Sequence, residues 1–177
     1  MNTGIYIKFF ITILSFTVFL LSSNILQSNN ASSQSRSYKF KEYKLIQEGI
    51  KVLLPDWEKT DTQNSSTKLQ VINKESLSEI NITVEPTTET LDSFWSQFYT
   101  QFKDLNSENI VTVQDTYLGE LQSKLLFIKA KSTEQSNSCI HHSIYKNNLI
   151  ILSYISPNDQ CQNSFFTELS KIAITKL

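Results

Sequence analysis

Apolar and polar positions recur along this chain with two different periods, and the change from one to the other marks its elements. From Ser78 to Glu85, Ile80, Ile82 and Val84 alternate with Glu79, Asn81 and Thr83, the period of two expected of a strand with one buried face. The same reading predicts strands at Tyr43 to Ile46, Ile50 to Leu54 and Lys68 to Asn73. The first two flank Gln47-Glu48-Gly49, a turn in which Gly49 takes the unusual dihedrals, and polar Lys74-Glu75-Ser76 separates the third from Ser78. From Leu91 to about Leu105 the period becomes helical. Leu91, Phe94, Trp95, Phe98, Phe102 and Leu105 fall on one face, with Asp92, Ser96, Gln97, Gln101 and Asp104 opposite. Pro86 ends the preceding strand and Thr90 is placed to cap the helix. An aromatic stripe at helical spacing is expected to be core rather than a pigment or lipid site.

Beyond the helix, Val111 to Tyr117 and Leu121 to Lys131 form a hairpin about Gly119. Ile140 to Tyr145 and Leu149 to Ile155 form the next, about Asn147-Asn148, because asparagine tolerates positive φ. A closing helix from about Asn163 to Ile172 brings Phe165, Phe166, Leu169 and Ile172 to one side. Runs such as LLFI and LIIL are apolar on both faces of their strands, which implies a sheet covered on both sides. The expected class is α+β, a central antiparallel sheet with helices on its faces in the order ββββαββββα.

The first thirty-odd residues follow a different rule. An uncharged apolar run, Phe9 to Leu21, follows Lys8 and gives way to an Asn/Ser-rich stretch. Its length suits the core of a secretory signal and falls short of the roughly 20 residues that span a bilayer. Counting back through Ile5, Tyr6 and Ile7 approaches a spanning length, so an uncleaved N-terminal anchor stands beside the cleaved signal. Residues 1–33 are thus a signal peptide or anchor with a polar tether, and residues 38–177 a single domain. Beyond the leader lie 15 basic and 17 acidic side chains, a net charge of −2, with the lysines scattered singly. That distribution lacks the basic stripe that nucleic acid requires. Only three glycines occur and they never cluster, which removes a phosphate-cradling loop.

Cys139 and Cys161 are the only cysteines, both in the exported part, where an oxidising compartment favours a disulfide. With a turn at Asn147-Asn148, Cys139 would sit nearly opposite Ser156, and the polar loop Pro157 to Gln160 would fold Cys161 back onto it. Two unpaired thiols are the alternative. His141 and His142, the only histidines, follow in C-I-H-H, where alternation sets Cys139 and His141 on one face and His142 on the other. Cys139 and His141 would offer a metal two ligands, too few for a site, so no metal or cofactor is expected. His142, between Ile140 and Ile144, reads as a packed histidine with a local hydrogen bond. No serine has the sharply turned context of a hydrolase nucleophile. Asp56, Glu58 and Asp61 would suit a hard cation or a basic partner and equally a solvated loop, whereas Glu85, Glu89 and Asp92 suit a helix N-terminus.

The segment GIKVLLPDW, with Gly49, Pro55 and Trp57 around a short strand, leads a wider pattern. TLDSFWSQF supplies a helix after the fourth strand, Gly119 a glycine between the next two strands, and YKNNLIILSYI a late hairpin. Over residues 38–177 this order resembles the PsbP/DcrB-like superfamily. The resemblance implies binding without catalysis, since members include lumenal accessory proteins of photosystem II and periplasmic lipoproteins. The expectation is therefore an exported, monomeric, non-enzymatic accessory module that meets a membrane protein complex in a periplasm or thylakoid lumen. A periplasmic carrier of a small ligand or metal and an unrecognised enzyme are the rival readings.

Overall fold

The computed structural model describes residues 38–61, 66–105, 110–129, 137–156 and 171–177. The leader and tether, Cys161, and Phe165, Phe166 and Leu169 of the expected closing helix lie outside these.

Among the described residues, ten strands and one helix follow in the order β1 (Phe40–Leu45), β2 (Ile50–Pro55), β3 (Glu58–Thr60), β4 (Thr67–Asn73), β5 (Ser78–Pro86), α1 (Leu91–Leu105), β6 (Ile110–Leu118), β7 (Leu121–Lys129), β8 (Asn137–Tyr145), β9 (Asn148–Ser156) and β10 (Ala173–Lys176). They build a seven-stranded antiparallel sheet, β3-β4-β5-β9-β8-β7-β6, and a three-stranded one, β1-β2-β10. The eight strands foreseen from alternation are all present. Two were not foreseen: β3, three residues of which two are charged, and β10, whose four residues are too few to show a period.

One face of the large sheet packs on the small sheet. Ile50, Val52 and Leu54 of β2 and Ile174 of β10 are fully buried against Leu69, Val71, Ile80, Ile82, Leu125 and Leu152. The other face takes the apolar side of α1, where Phe94, Trp95 and Phe102 lie over Leu126, Ile128, Ile140 and Leu149. Among the described residues, then, helix covers one face and sheet the other, and the expected closing helix lies outside them. The reason for the sheet cover lies in β2, where Ile50, Val52 and Leu54 alternate with partly exposed Lys51 and Leu53. A strand with one buried stripe can serve as a cover as a helix does. Thr90 caps α1 as expected, its Oγ1 accepting the Ser93 N–H at 3.2 Å.

The turns set the registers. Gly49 (φ 68°) and Gly119 (φ 66°) both occupy the left-handed region. The β8–β9 turn is Lys146-Asn147, both at positive φ, and Asn148 pairs with Tyr145. This is one residue earlier than the Asn147-Asn148 turn that composition suggested, and it moves the partner of Cys139 from Ser156 to Tyr154. A two-residue turn of this hand needs positive φ at both centres, and here the neighbouring lysine accepts it. At the opposite end, Asn73 Oδ1 accepts the N–H groups of Glu75 and Ser76, and exposed Leu77 closes the turn at φ 54°.

Candidate functional site

Strand β8 carries the densest polar content of the interior. Ser138, His141, His142 and Ser143 are all buried, His141 and His142 each 2 % exposed. Alternation divides them as expected, with Cys139 in the layer between the sheets and His142 beneath α1.

His141 lies diagonally across from Ser123 of β7, with Nδ1 and Oγ joined by a 2.9 Å hydrogen bond. Burial holds the imidazole neutral, with its pKa lowered to about 4. A serine hydroxyl on a neutral imidazole is the pairing of nucleophile and base in acyl transfer. Here both groups are buried on adjacent strands, Ser123 being 0 % exposed. The pair is a buried contact within the core.

His142 lies under the aromatic face of α1, its ring centroid 4.9 Å from Phe98, 5.2 Å from Trp95 and 5.5 Å from Phe94. Burial, reinforced by neighbouring His141, lowers its pKa to about 3. The expected packing is present, but Nδ1 and the Trp95 Nε1 have no hydrogen-bond partner among the described residues. The aromatic stripe of α1 is core, as its spacing implied.

Cys139 is fully buried and is not a free thiol. Its expected partner Cys161 lies outside the described residues. No three His, Cys, Asp or Glu side chains among the described residues group as metal ligands. The acidic positions disperse into local roles. Glu58 pairs with Lys74 at 2.6 Å. Glu89 accepts from Ser93 Oγ and Gln97 Nε2, each at 3.2 Å, and Asp92 reaches Lys124 at 3.1 Å. Lys124 also meets Asp115 at 2.6 Å, and that hydrogen bond foremost raises its pKa. Among the described residues no helix is long and apolar enough to cross a membrane.

The unspent surface chemistry is at the end of the molecule where the β1–β2, β6–β7 and β8–β9 turns meet the end of β10. Among the described residues, the exposed apolar side chains of Ile46 at 77 % and Leu177 at 52 % are there, while Tyr117 at 70 % lies on the α1 face of the large sheet. Lys146 and Lys176 stand with Ile46 and Leu177, their ammonium nitrogens 5.2 and 5.9 Å from the centre of the Tyr145 ring. No motif announced this grouping, because its members come from three segments remote in sequence.

No protein-family model matches the chain, and no curated protein matches it in sequence. A solved structure does: the solution structure of cyanobacterial PsbP (CyanoP) from Synechocystis sp. PCC 6803 superposes with a TM-score of 0.53 at 10 % identity, over 84 % of this chain and 98 % of that one. At that identity the likeness speaks for the backbone alone. The two packed sheets, the single described helix and this superposition together give the chain a PsbP-like fold.

Proposed function

We propose that the protein is a non-enzymatic binding module, exported across a membrane and attached to a membrane protein complex as an accessory component. The observation that carries this reading is the division of its chemistry. The groups that resemble catalytic ones, Ser123, His141 and His142, are buried, whereas exposed Ile46 and Leu177 gather with Lys146 at one end. Enzymes place titratable groups where a substrate can reach them, whereas docking modules place apolar and charged groups on the outside. The PsbP-like fold supports the same reading by analogy of architecture only. The leader, residues 1–33, would direct export into a periplasm or thylakoid lumen and, if retained, would hold the domain at the membrane. In such a compartment Cys139 and Cys161 would form a disulfide.

The test is a crosslinked pull-down of the tagged full-length chain from native membranes. Recovery of one membrane complex in a fixed ratio supports the proposal. A soluble monomer with nothing attached overturns it.

A further inference from the structure

The two described sheets end in four outer strands, and three of them carry features that keep an edge from pairing further. β3 is three residues long with Glu58 and Lys59 charged, β10 is four residues ending in Lys176, and β1 bears Lys41, Glu42 and Lys44 among its six. β6 has none of these features. It runs nine residues, IVTVQDTYL, without lysine, proline or glycine, and it pairs with β7 from Ile110 to Leu118 with no shift of register. Its one charged side chain, Asp115, is already met by Lys124 at 2.6 Å, and Tyr117 on the same strand is 70 % exposed. Because Leu118 and Leu121 flank the two-residue turn Gly119-Glu120, they are a pair that exchanges both backbone hydrogen bonds, and alternation fixes the rest. Thr112, Gln114, Thr116 and Leu118 turn their backbone groups to β7. Val111, Val113, Asp115 and Tyr117 turn theirs away from it, to a side where no further strand pairs among the described residues.

We propose that the outer edge of β6 is where two copies of this chain pair, antiparallel about Gln114, so that the large sheet runs on from one copy into the other. This goes beyond the binding-module reading and does not depend on it. The occupant is a second copy because the strand is complementary to itself. Turned end for end about Gln114, the order V-T-V-Q-D-T-Y sets Val111 opposite Tyr117, Thr112 opposite Thr116 and Val113 opposite Asp115, each meeting its counterpart in the other copy. Residues 111, 113, 115 and 117, whose backbone groups point outward, then meet only one another, and each outward N–H and C=O gains a partner. Aromatic residues opposite β-branched ones and threonine opposite threonine are among the cross-strand pairs that stabilise a sheet. Centring the pair on Asp115 instead would set two carboxylates face to face, and centring it on Val113 would leave Tyr117 past the start of the partner strand at Ile110. A two-fold dimer needs one patch that matches itself, and β6 supplies it. A strand of another protein would satisfy the backbone equally but would owe nothing to this symmetry.

In this register residue 114 faces its own copy across the two-fold axis at a non-hydrogen-bonded position, where Cα atoms are about 4.5 Å apart and a disulfide can form. The experiment introduces Gln114→Cys into the full-length chain, oxidises it in native membranes, and compares it with Ser96→Cys on the exposed side of α1. Both variants retain Cys139 and Cys161. The expected result is a reducible band of twice the chain's mass from position 114 and none from position 96. In the purified full-length chain, Gln114→Lys sets two like charges face to face and should raise the dimer dissociation constant at least about tenfold by sedimentation equilibrium, with the circular dichroism spectrum unchanged. A chain that sediments as a monomer at every concentration and forms no disulfide at 114 overturns the proposal. So does a dimer that Gln114→Lys leaves intact, or one bridged equally from 96 and 114. A band that joins residue 114 to a different protein assigns the edge to a foreign strand and likewise overturns the second copy as its occupant.

Discussion

His142 meets Trp95 edge to face, with ring centroids 5.2 Å apart and planes at 89°, so an ionisable group from the sheet is sealed beneath the helix by the residue that anchors the helix. Lys124, opposite His142 on β7, is a fixed cation on the same side, and Asp92 and Asp115 are turned to that lysine. With that cation already paired, burial first and then His141 keep the imidazole neutral.

This makes stability depend on pH. An unfolded histidine titrates near 6.5, whereas His141 and His142 titrate at about 4 and about 3 when folded. The unfolded chain therefore binds protons that the folded one refuses. The contribution is fully present above about pH 6.5 and is lost as pH falls from there toward 3, by about 2 kcal/mol per histidine at pH 5. Urea melts followed by tryptophan fluorescence should show this fall. His142→Phe should remove about half of it, and parallel pH curves for the variant and the parent would refute the assignment.

Gly119 is the least replaceable turn residue. A Cβ there would lie 2.4 Å from the Ile174 carbonyl oxygen at φ +66°, and backbone cannot yield as a side chain can. Gly119→Ala is expected to cost about 3 kcal/mol or more. At Gly49 a Cβ meets only the mobile tip of Lys146, so Gly49→Ala should cost about 1 kcal/mol, the penalty of its dihedrals alone. Equal urea midpoints for the two variants would contradict this.

Trp57 lies against Tyr38 and Tyr154, at 5.5 and 6.5 Å between ring centroids, and is half-buried rather than sealed. Trp57→Ala should cost about 2–3 kcal/mol, below the range for a fully buried aromatic. Trp57→Phe should cost under about 1 kcal/mol, because the indole nitrogen has no hydrogen-bond partner to lose. Thermal melts of both variants distinguish packing from polar anchoring.

Lys124 joins α1, β6 and β7 with short contacts, yet the side chains of Asp92 and Asp115 are 82 % and 75 % exposed. Solvent screening limits what they contribute, and Lys124→Met should change stability by no more than about 1 kcal/mol. A larger loss would reveal a packing role for its stem.

The proposed Cys139–Cys161 bond predicts that the exported protein, unfolded in denaturant without reductant, has no thiol that reacts with Ellman's reagent, and two after reduction. Reduction should lower stability by about 3 kcal/mol, as expected for a loop of this size. Two reactive thiols before reduction would rule the bond out.

Local pattern in the amino-acid order determined most elements: the alternation of Ile80, Ile82 and Val84, the aromatic stripe of α1, the Thr90 cap, and the separation of His141 from His142. Each depends on residues within a few positions of one another, where backbone geometry leaves little choice. The tertiary structure decided what no short window contains. It made β10 a strand by giving four residues an edge of β2 to pair with, and it chose a second sheet as cover. It moved the β8–β9 turn back to Lys146-Asn147 and with it the pairing of every residue on those strands, since shifting a two-residue turn by one position changes the cross-strand partner by two. It also gathered Ile46, Lys146 and Leu177 around Gly49, because a surface built from several turns exists only once the strands between them have settled their registers.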